Sequence, residues 1–428
     1  MSLLSDKKIV VIGGGTGNFA VLSGLKHYFK HITALVSMAD DGGSTGQLRD
    51  ELGVLPPGDV RQCLIALSDA PVARQLFDYR FEGGGLSGHN FGNIFLSAME
   101  KVTGSFPEGV KLASEVLRTH GTVLPITTDQ VKLVWFDTSG NKVVGEYIIG
   151  DMDFGKTRRP KIALEPQAKI TPEAHQAILD ADVVVISPGD LYASIGAALV
   201  VEGVAEALQS SKATRIYVCN LVTKPKQTDS FTVSDYADEI ERFIGFPALD
   251  YVIYNTDHPA EELLHTYTRQ GEFLVELNKV LANAAHYESI GLDLVAHEPL
   301  HTSEADPIAH SRSLIRHDSD TVARAILETI NKGKALEVQG WEGPYIVVYR
   351  HDGVCRCGLG SLGVQPTLAA RLDPFRQYQD LFHGSVTLSI WRQCQGMYRL
   401  QQYLKPMSLS LSQVVRSDPH TALVCPQL

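Results

Sequence analysis

Lys8-Ile9-Val10-Val11-Ile12-Gly13-Gly14-Gly15-Thr16-Gly17-Asn18 is the stretch on which the fold turns. Lys8 to Ile12 is a short apolar run, the mark of a parallel strand buried on both faces. It breaks into four glycines and a threonine, and Phe19 to Phe29 then carries apolar residues at helical spacing. Ile32 to Met38 forms a second apolar run, ending in Asp40-Asp41-Gly42-Gly43. Strand, glycine turn, helix, strand is the unit of a doubly wound sheet. Downstream, Asp182–Ile186 runs into Ser187-Pro188-Gly189-Asp190, followed by a helix through Leu208. Arg215–Cys219 runs into Asn220-Leu221-Val222-Thr223, and Asp250–Tyr254 into Asn255-Thr256-Asp257-His258. Ligands of open parallel sheets collect at such carboxyl ends. The expectation is a Rossmann-like three-layer α/β/α fold with a mainly parallel sheet.

Between these halves, residues 131–164 alternate apolar and polar positions around a Gly140-Asn141 turn, the pattern of a small β-rich insertion. Ser311 to Asn331 has the spacing of a final helix. Beyond about Gly333 the composition shifts toward Gln, aromatics and Cys. The division expected is therefore a nucleotide-binding domain over 1–332 and an extension of unknown role over 333–428.

The chain has 428 residues, 44% hydrophobic and 20% charged, with a formal net charge of -11. Such an acidic balance argues against binding nucleic acid by phosphate neutralisation. No stretch has the length and polarity of a membrane span, and Met1 to Asp6 lacks a basic region followed by an apolar core. The expected setting is the cytoplasm. Cys63 and Cys219 sit in apolar elements and read as core thiols. The spacing of Cys355, Cys357, Cys394 and Cys425 matches no zinc pattern.

Gly13, Gly14, Gly15, Thr16 and Gly17 are candidates to cradle a phosphate, because glycines admit close backbone approach and a helix N-terminus offers free N–H groups. Asn18 stands where the dinucleotide fingerprint has its third glycine, and no Lys-Ser or Lys-Thr pair follows, so the loop is neither an NAD fingerprint nor a Walker loop. Asp40 or Asp41 could meet ribose hydroxyls. The same pair could equally hold a divalent cation such as Mg2+. Ser44 follows in the same turn. Arg49 and Arg61 are candidate phosphate partners. His89, Asn90 and Asn93 could share a ligand-facing edge at a helix start. No Ser-His-Asp or Cys-His arrangement is legible, and no hydrolytic pair of acids, so catalytic residues stay unassigned.

Ile12–Gly17, Asp40–Arg49 and Leu55-Pro56-Pro57-Gly58-Asp59-Val60-Arg61 are similar to the YvcK (gluconeogenesis factor) branch of the CofD-like superfamily. Gly88–Asn93, Val123-Leu124-Pro125, Tyr217–Asn220 and Ile315-Arg316-His317-Asp318 extend the resemblance over about residues 7 to 332. The resemblance implies a protein that binds a UDP-sugar such as UDP-N-acetylglucosamine and influences cell shape and carbon or envelope metabolism. On it, Pro188 and Gly189 join the phosphate wall, and Asn220 and Thr228 line the opposite one. The alternative it implies is a metal-dependent 2-phospho-L-lactate transferase of the CofD type, with Asp40, Asp41 and Asp59 as candidate cation ligands and Arg61 on the donor phosphates. No cofactor beyond that cation is expected, and a homodimer is left open. Two departures stand out. Asp190 replaces a small hydroxyl in a segment that usually reads Gly-Pro-Gly-Ser-Leu-Tyr-Thr-Ser. Lys224 and Lys226 add positive charge to one usually resembling Met-Thr-Gln-Pro-Gly-Glu-Thr.

Overall fold

The opening strand β1 (Ser5–Gly13) lies inside a seven-stranded sheet, parallel to β2 (Phe29–Val36) on one side and to β7 (Val183–Ile186) on the other. The computed structural model describes residues 5–259, 261–296, 315–332, 345–351, 354–360, 415–416 and 423–426. The sheet continues through β3 (Thr122–Pro125) beyond β2, and through β8 (Thr214–Val218), β9 (Tyr251–Asn255) and β10 (Glu288–Leu292) beyond β7. Its order is β10-β9-β8-β7-β1-β2-β3, and every pairing in it is parallel. The chain therefore builds outward from β1 in one direction and later from β7 in the other. The β1–β7 boundary is the switch point at which such sheets bind ligands.

The apolar run of β1 is explained by its two covered faces. Ile9, Val10, Val11 and Ile12 are each at most 2% exposed. Val10 and Ile12 belong to one core cluster and Ile9 and Val11 to the other, as strand alternation requires. Helices α1 (Gly15–Leu25), α2 (Gly43–Leu52), α3 (Gly58–Leu67), α5 (Phe91–Thr103) and α6 (Phe106–Leu117) lie between the strands that start the chain, with the short α4 (Pro71–Asp78) between α3 and α5.

The alternating stretch forms a separate antiparallel sheet of β4 (Lys132–Phe136), β5 (Lys142–Val144) and β6 (Lys161–Glu165), in the order β5-β4-β6. Asp137 Oδ1 accepts the N–H groups of Ser139 and Asn141 in the hairpin turn. The insertion also carries the short helix α7 (Glu146–Asp151), which the alternation did not signal. Helix α8 (Pro172–Asp180) leads into β7.

The helix expected through Leu208 is broken. A π-helical turn, Leu191–Gly196, passes into α9 (Ala197–Leu199), and α10 (Val204–Ser210) starts after Gly203, whose φ of 94° ends any continuous helix. Helix α11 (Val233–Ile244) lies between β8 and β9, and α12 (Glu261–Gln270) and α13 (Lys279–Ala284) between β9 and β10. The last helix, α14 (Ser319–Lys332), starts later than Ser311. Residues 311–314 lie outside the described residues, and His317 forms a bridge with Val295 instead of a helical turn.

The chain divides into two compact units, Leu4–Lys334 and Ala335–Leu428, the second with Met1–Leu3. The second contains β11 (Tyr345–His351), β12 (Val354–Gly360), β13 (Val415–Arg416) and β14 (Leu423–Pro426), an antiparallel sheet in the order β12-β11-β14-β13. Cys394 lies outside the described residues. Among the described residues, no helix is long and apolar enough to cross a membrane.

Candidate functional site

At the switch point the loops after β1 and β7 touch backbone to backbone. A Cβ on Gly17 would collide with the Pro188 carbonyl, and one on Gly13 with the Ser187 hydroxyl. These glycines let the two strand ends close on each other. Asn18 is fully buried; its amide donates to Cys63 Sγ on α3 at 3.7 Å, while its Oδ1 and the Ser187 hydroxyl find no hydrogen-bond partner. The residue that breaks the dinucleotide fingerprint thus binds α1 to α3.

Gly14 is the N-cap of α1 and has no side chain to cap it. Gly15 N–H is met by the Asp59 carboxylate from α3, and a Cβ on Gly15 would lie 2.5 Å from Asp59 Oδ1. The helix terminus expected to cradle a phosphate therefore already faces an internal anion. Burial pushes the Asp59 carboxyl up to about 7, with the Asp40 charge adding to the rise and the Gly15 N–H and Arg61 opposing it. Thr16 is exposed and donates to Gln62 Oε1 at 3.3 Å.

Asp40 and Asp41 diverge. Asp40 Oδ1 accepts Gly42 N–H at 3.0 Å, and Thr45 also bonds to its carboxylate. Burial, then the Asp41 charge, raises the Asp40 carboxyl against those bonds. Asp41 Oδ1 accepts Tyr147 N–H at 2.8 Å, and its Oδ2 lies 3.9 Å from the Arg49 guanidinium. Glu146, which sequence reasoning missed, is driven well up by burial and by the charges of Asp40, Asp190, Asp59 and Asp41. Several carboxylates thus share one strand-end cleft. Among the described residues, no group of three or more His, Cys, Asp or Glu side chains is arranged to hold a metal ion.

Ser44, His89 and Asn93 come together. Ser44 Oγ lies 3.1 Å from His89 Nδ1, and the Asn93 amide reaches Ser44 Oγ at 3.5 Å. Arg61 is 4% exposed, donates to Asn93 Oδ1 at 3.0 Å and pairs with Asp78 at 2.8 Å. Asn90 faces inward: its Oδ1 caps α5 through Gly92 and Asn93 N–H, and its amide donates to the Asp78 carbonyl. A cavity of about 430 Å³ opens beside the loop, lined among others by Thr16, Arg61, Gln62, Arg74, Gln75 and Arg316. Arg74 and Gln75 carry no motif in the sequence, and only the fold brings them to Arg316.

The β7 loop is held by side chains. The Asn220 amide donates to the Gly189 carbonyl at 2.7 Å and its Oδ1 accepts Gly189 N–H at 3.3 Å. Asp190 Oδ1 accepts the N–H groups of Tyr192 and Ala193, capping the π-helical turn. Its other oxygen pairs with Lys224, whose ammonium also donates to the Gly150 carbonyl. The two departures noted in the sequence, Asp190 and Lys224, are therefore one ion pair. Gln227 donates to the carbonyls of Ile149, Gly150 and Met152, and so fixes the end of α7. Thr228 is buried, accepts Lys224 N–H at 2.7 Å and pairs with the Tyr236 hydroxyl. Tyr192, fully buried, donates to Glu239 Oε2 at 3.1 Å, and Glu239 in turn pairs with Arg242. Asn220, Thr228 and Asn90 therefore shape the walls from inside.

A doubly wound parallel sheet, with a glycine-lined helix terminus and a nest of carboxylates at its switch point and an arginine-lined cavity beside α1, defines a Rossmann-like α/β protein. The family described as 2-phospho-L-lactate transferase CofD matches residues 9–298. The chain belongs to this family, in its YvcK branch. It is similar to the gluconeogenesis factor of Listeria innocua, 37% identical over 341 residues, covering 79% of this chain and 100% of the relative. It is also similar to the gluconeogenesis factor of Bacillus subtilis, 34% identical over 328 residues, covering 76% and 98%. The crystal structure of a UPF0052 family member from Bacillus halodurans superposes with a TM-score of 0.68 at 35% identity, covering 76% of this chain and all of that one.

Proposed function

We propose that the chain binds a nucleotide sugar at the β1–β7 switch point and acts as a regulator of carbon and envelope metabolism, and through it of cell shape. The observation that carries this reading is the cavity in which Arg61, Arg74 and Arg316 meet Thr16 at the start of α1. Guanidinium groups beside a helix N-terminus suit the two phosphates of a nucleoside diphosphate. Ser44, His89 and Asn93 offer neutral donors and acceptors of the kind that read sugar hydroxyls and amides. UDP-N-acetylglucosamine is the ligand that the resemblance of these motifs to the YvcK branch implies. The protein would meet it in the cytoplasm, and a homodimer is compatible with the same site. Native mass spectrometry of the purified full chain tests this: a co-purified mass of a UDP-sugar supports it, and a dinucleotide in its place refutes it.

The second reading, a CofD-type transferase, is favoured by Asp40 and Asp59. Their carboxyls repel one another across a cleft that burial already makes unfavourable for charge. Hard carboxylate oxygens in such a setting fit a divalent cation, and Asp40 and Asp59 would hold it. Held there, it would supply positive charge to offset the phosphates of an activated donor. Turnover of such a donor that persists after complete chelation would exclude this reading.

A further inference from the structure

We propose that Tyr147, on the helix of the β-rich insertion, is the platform on which the planar base of the nucleotide stacks; this rests on the nucleotide reading above. Tyr147 is 64% exposed and the adjacent Ile148 55% exposed, whereas Ile149, Trp135 and Phe154 of the same insertion are buried. A large ring held open to solvent at the rim of a polar cleft is a recognition feature when the surrounding structure fixes it in place.

Fixation is what the contacts describe. The Tyr147 N–H is bound by Asp41 Oδ1. Its ring edge, at Cδ2, lies 3.2 Å from the point a Gly42 Cβ would occupy, so a side chain at position 42 would push against the ring. Gly145, which starts the helix, has a φ of 115° and would place a Cβ 3.1 Å from Asp41 Oδ2. Both a bare backbone at Gly42 and left-handed freedom at Gly145 are needed to bring the ring this close to the end of β2. The other end of α7 is tied by Gln227 and Lys224 through its carbonyls. The helix that carries the ring is thus tied at both ends, while the ring itself stays open.

Its place relative to the phosphates gives the occupant. From the α1 terminus to the insertion, Gly15 N–H meets Asp59, Asp59 feels the Asp40 charge, Asp40 accepts Gly42 N–H, and Gly42 lies beside the Tyr147 ring. A nucleotide with its phosphates at α1 and its ribose at the Asp40–Asp41 turn directs its base outward to Tyr147. A stacking platform accepts any base, so it adds affinity for the nucleoside and leaves selection among bases to other groups.

Calorimetric titration of the full chain tests this with two probes, UDP-N-acetylglucosamine and inorganic pyrophosphate. Y147A should weaken the UDP-sugar about tenfold, leave pyrophosphate unchanged and leave the thermal midpoint unchanged, while Y147F and Y147W bind as the wild type does. Unchanged UDP-sugar affinity in Y147A, beside clear wild-type binding, overturns the stacking role alone. Equal losses for both probes overturn it in favour of a structural role. No UDP-sugar binding by the wild type overturns both this inference and the function on which it rests.

Discussion

D59N should make the protein more stable at pH 8 than the wild type, by an amount that shrinks as the pH falls. Asp59 is held beside Asp40 with its carboxyl raised from 3.8 to about 7. A rise of that size corresponds to about 4 kcal/mol of preference for the neutral form. The sign follows from proton counting. In the unfolded chain Asp59 loses its proton near 3.8, while the folded protein keeps it until about 7. Through that window the folded state binds more protons, so stability falls with rising pH and stays low above 7. Asparagine can still accept Gly15 N–H through its amide oxygen, but it carries no charge to bury. The stability gain should therefore be small near pH 4 and approach about 4 kcal/mol at pH 8. Chemical denaturation of the two proteins across this range reads it directly. At pH 8, D59N should also bind inorganic pyrophosphate more tightly, because an internal anion no longer faces the α1 terminus. A stability difference that does not change with pH, or a D59N protein less stable at pH 8, would refute the reasoning.

The other expectations concern the walls of the same cleft. G15A would place a methyl group 2.5 Å from Asp59 Oδ1 and 2.9 Å from the Gln62 side chain. Both are movable, so the fold should persist while nucleotide affinity, read by calorimetry, drops at least tenfold. G17A meets the Pro188 carbonyl, which is backbone and cannot swing away, so it should cost about 1–3 kcal/mol in denaturant unfolding. K224Q should destabilise by about 1 kcal/mol, and a double-mutant cycle with D190S should show the two effects to be non-additive, since each residue is the other's partner. Additive effects would break that assignment.

Local signals made the centre of the site readable. The glycine loop, the acidic turn after β2 and the Pro-Pro-Gly-Asp segment each announce a strand end or helix start by backbone chemistry, and the sheet brings them to one cleft. Signals that depend on distant partners were not readable in the same way. Asn18 looked like a flaw in a fingerprint until Cys63 and Ser187 were seen around it. Asp190 and Lys224 read as two unrelated changes, because nothing in their spacing states that they pair. The break between α9 and α10 falls in a mainly apolar stretch, where Gly203 takes the positive φ that ends the helix. Asn90, Asn220 and Thr228 have the side chains of ligand contacts, yet helix capping and turn formation call for the same groups. Tyr147 sits in a six-residue helix inside an alternating stretch, too short for helical periodicity to show.

The proposed function places a nucleotide sugar at the β1–β7 switch point. Its most direct measurement is calorimetric titration of the full chain with UDP-N-acetylglucosamine, compared with R74A and R316A. Saturable one-site binding by the wild type and a loss of tenfold or more in each variant are expected, since both residues line the cavity beside α1. Absence of heat at millimolar ligand, or wild-type affinity in both variants, would contradict it.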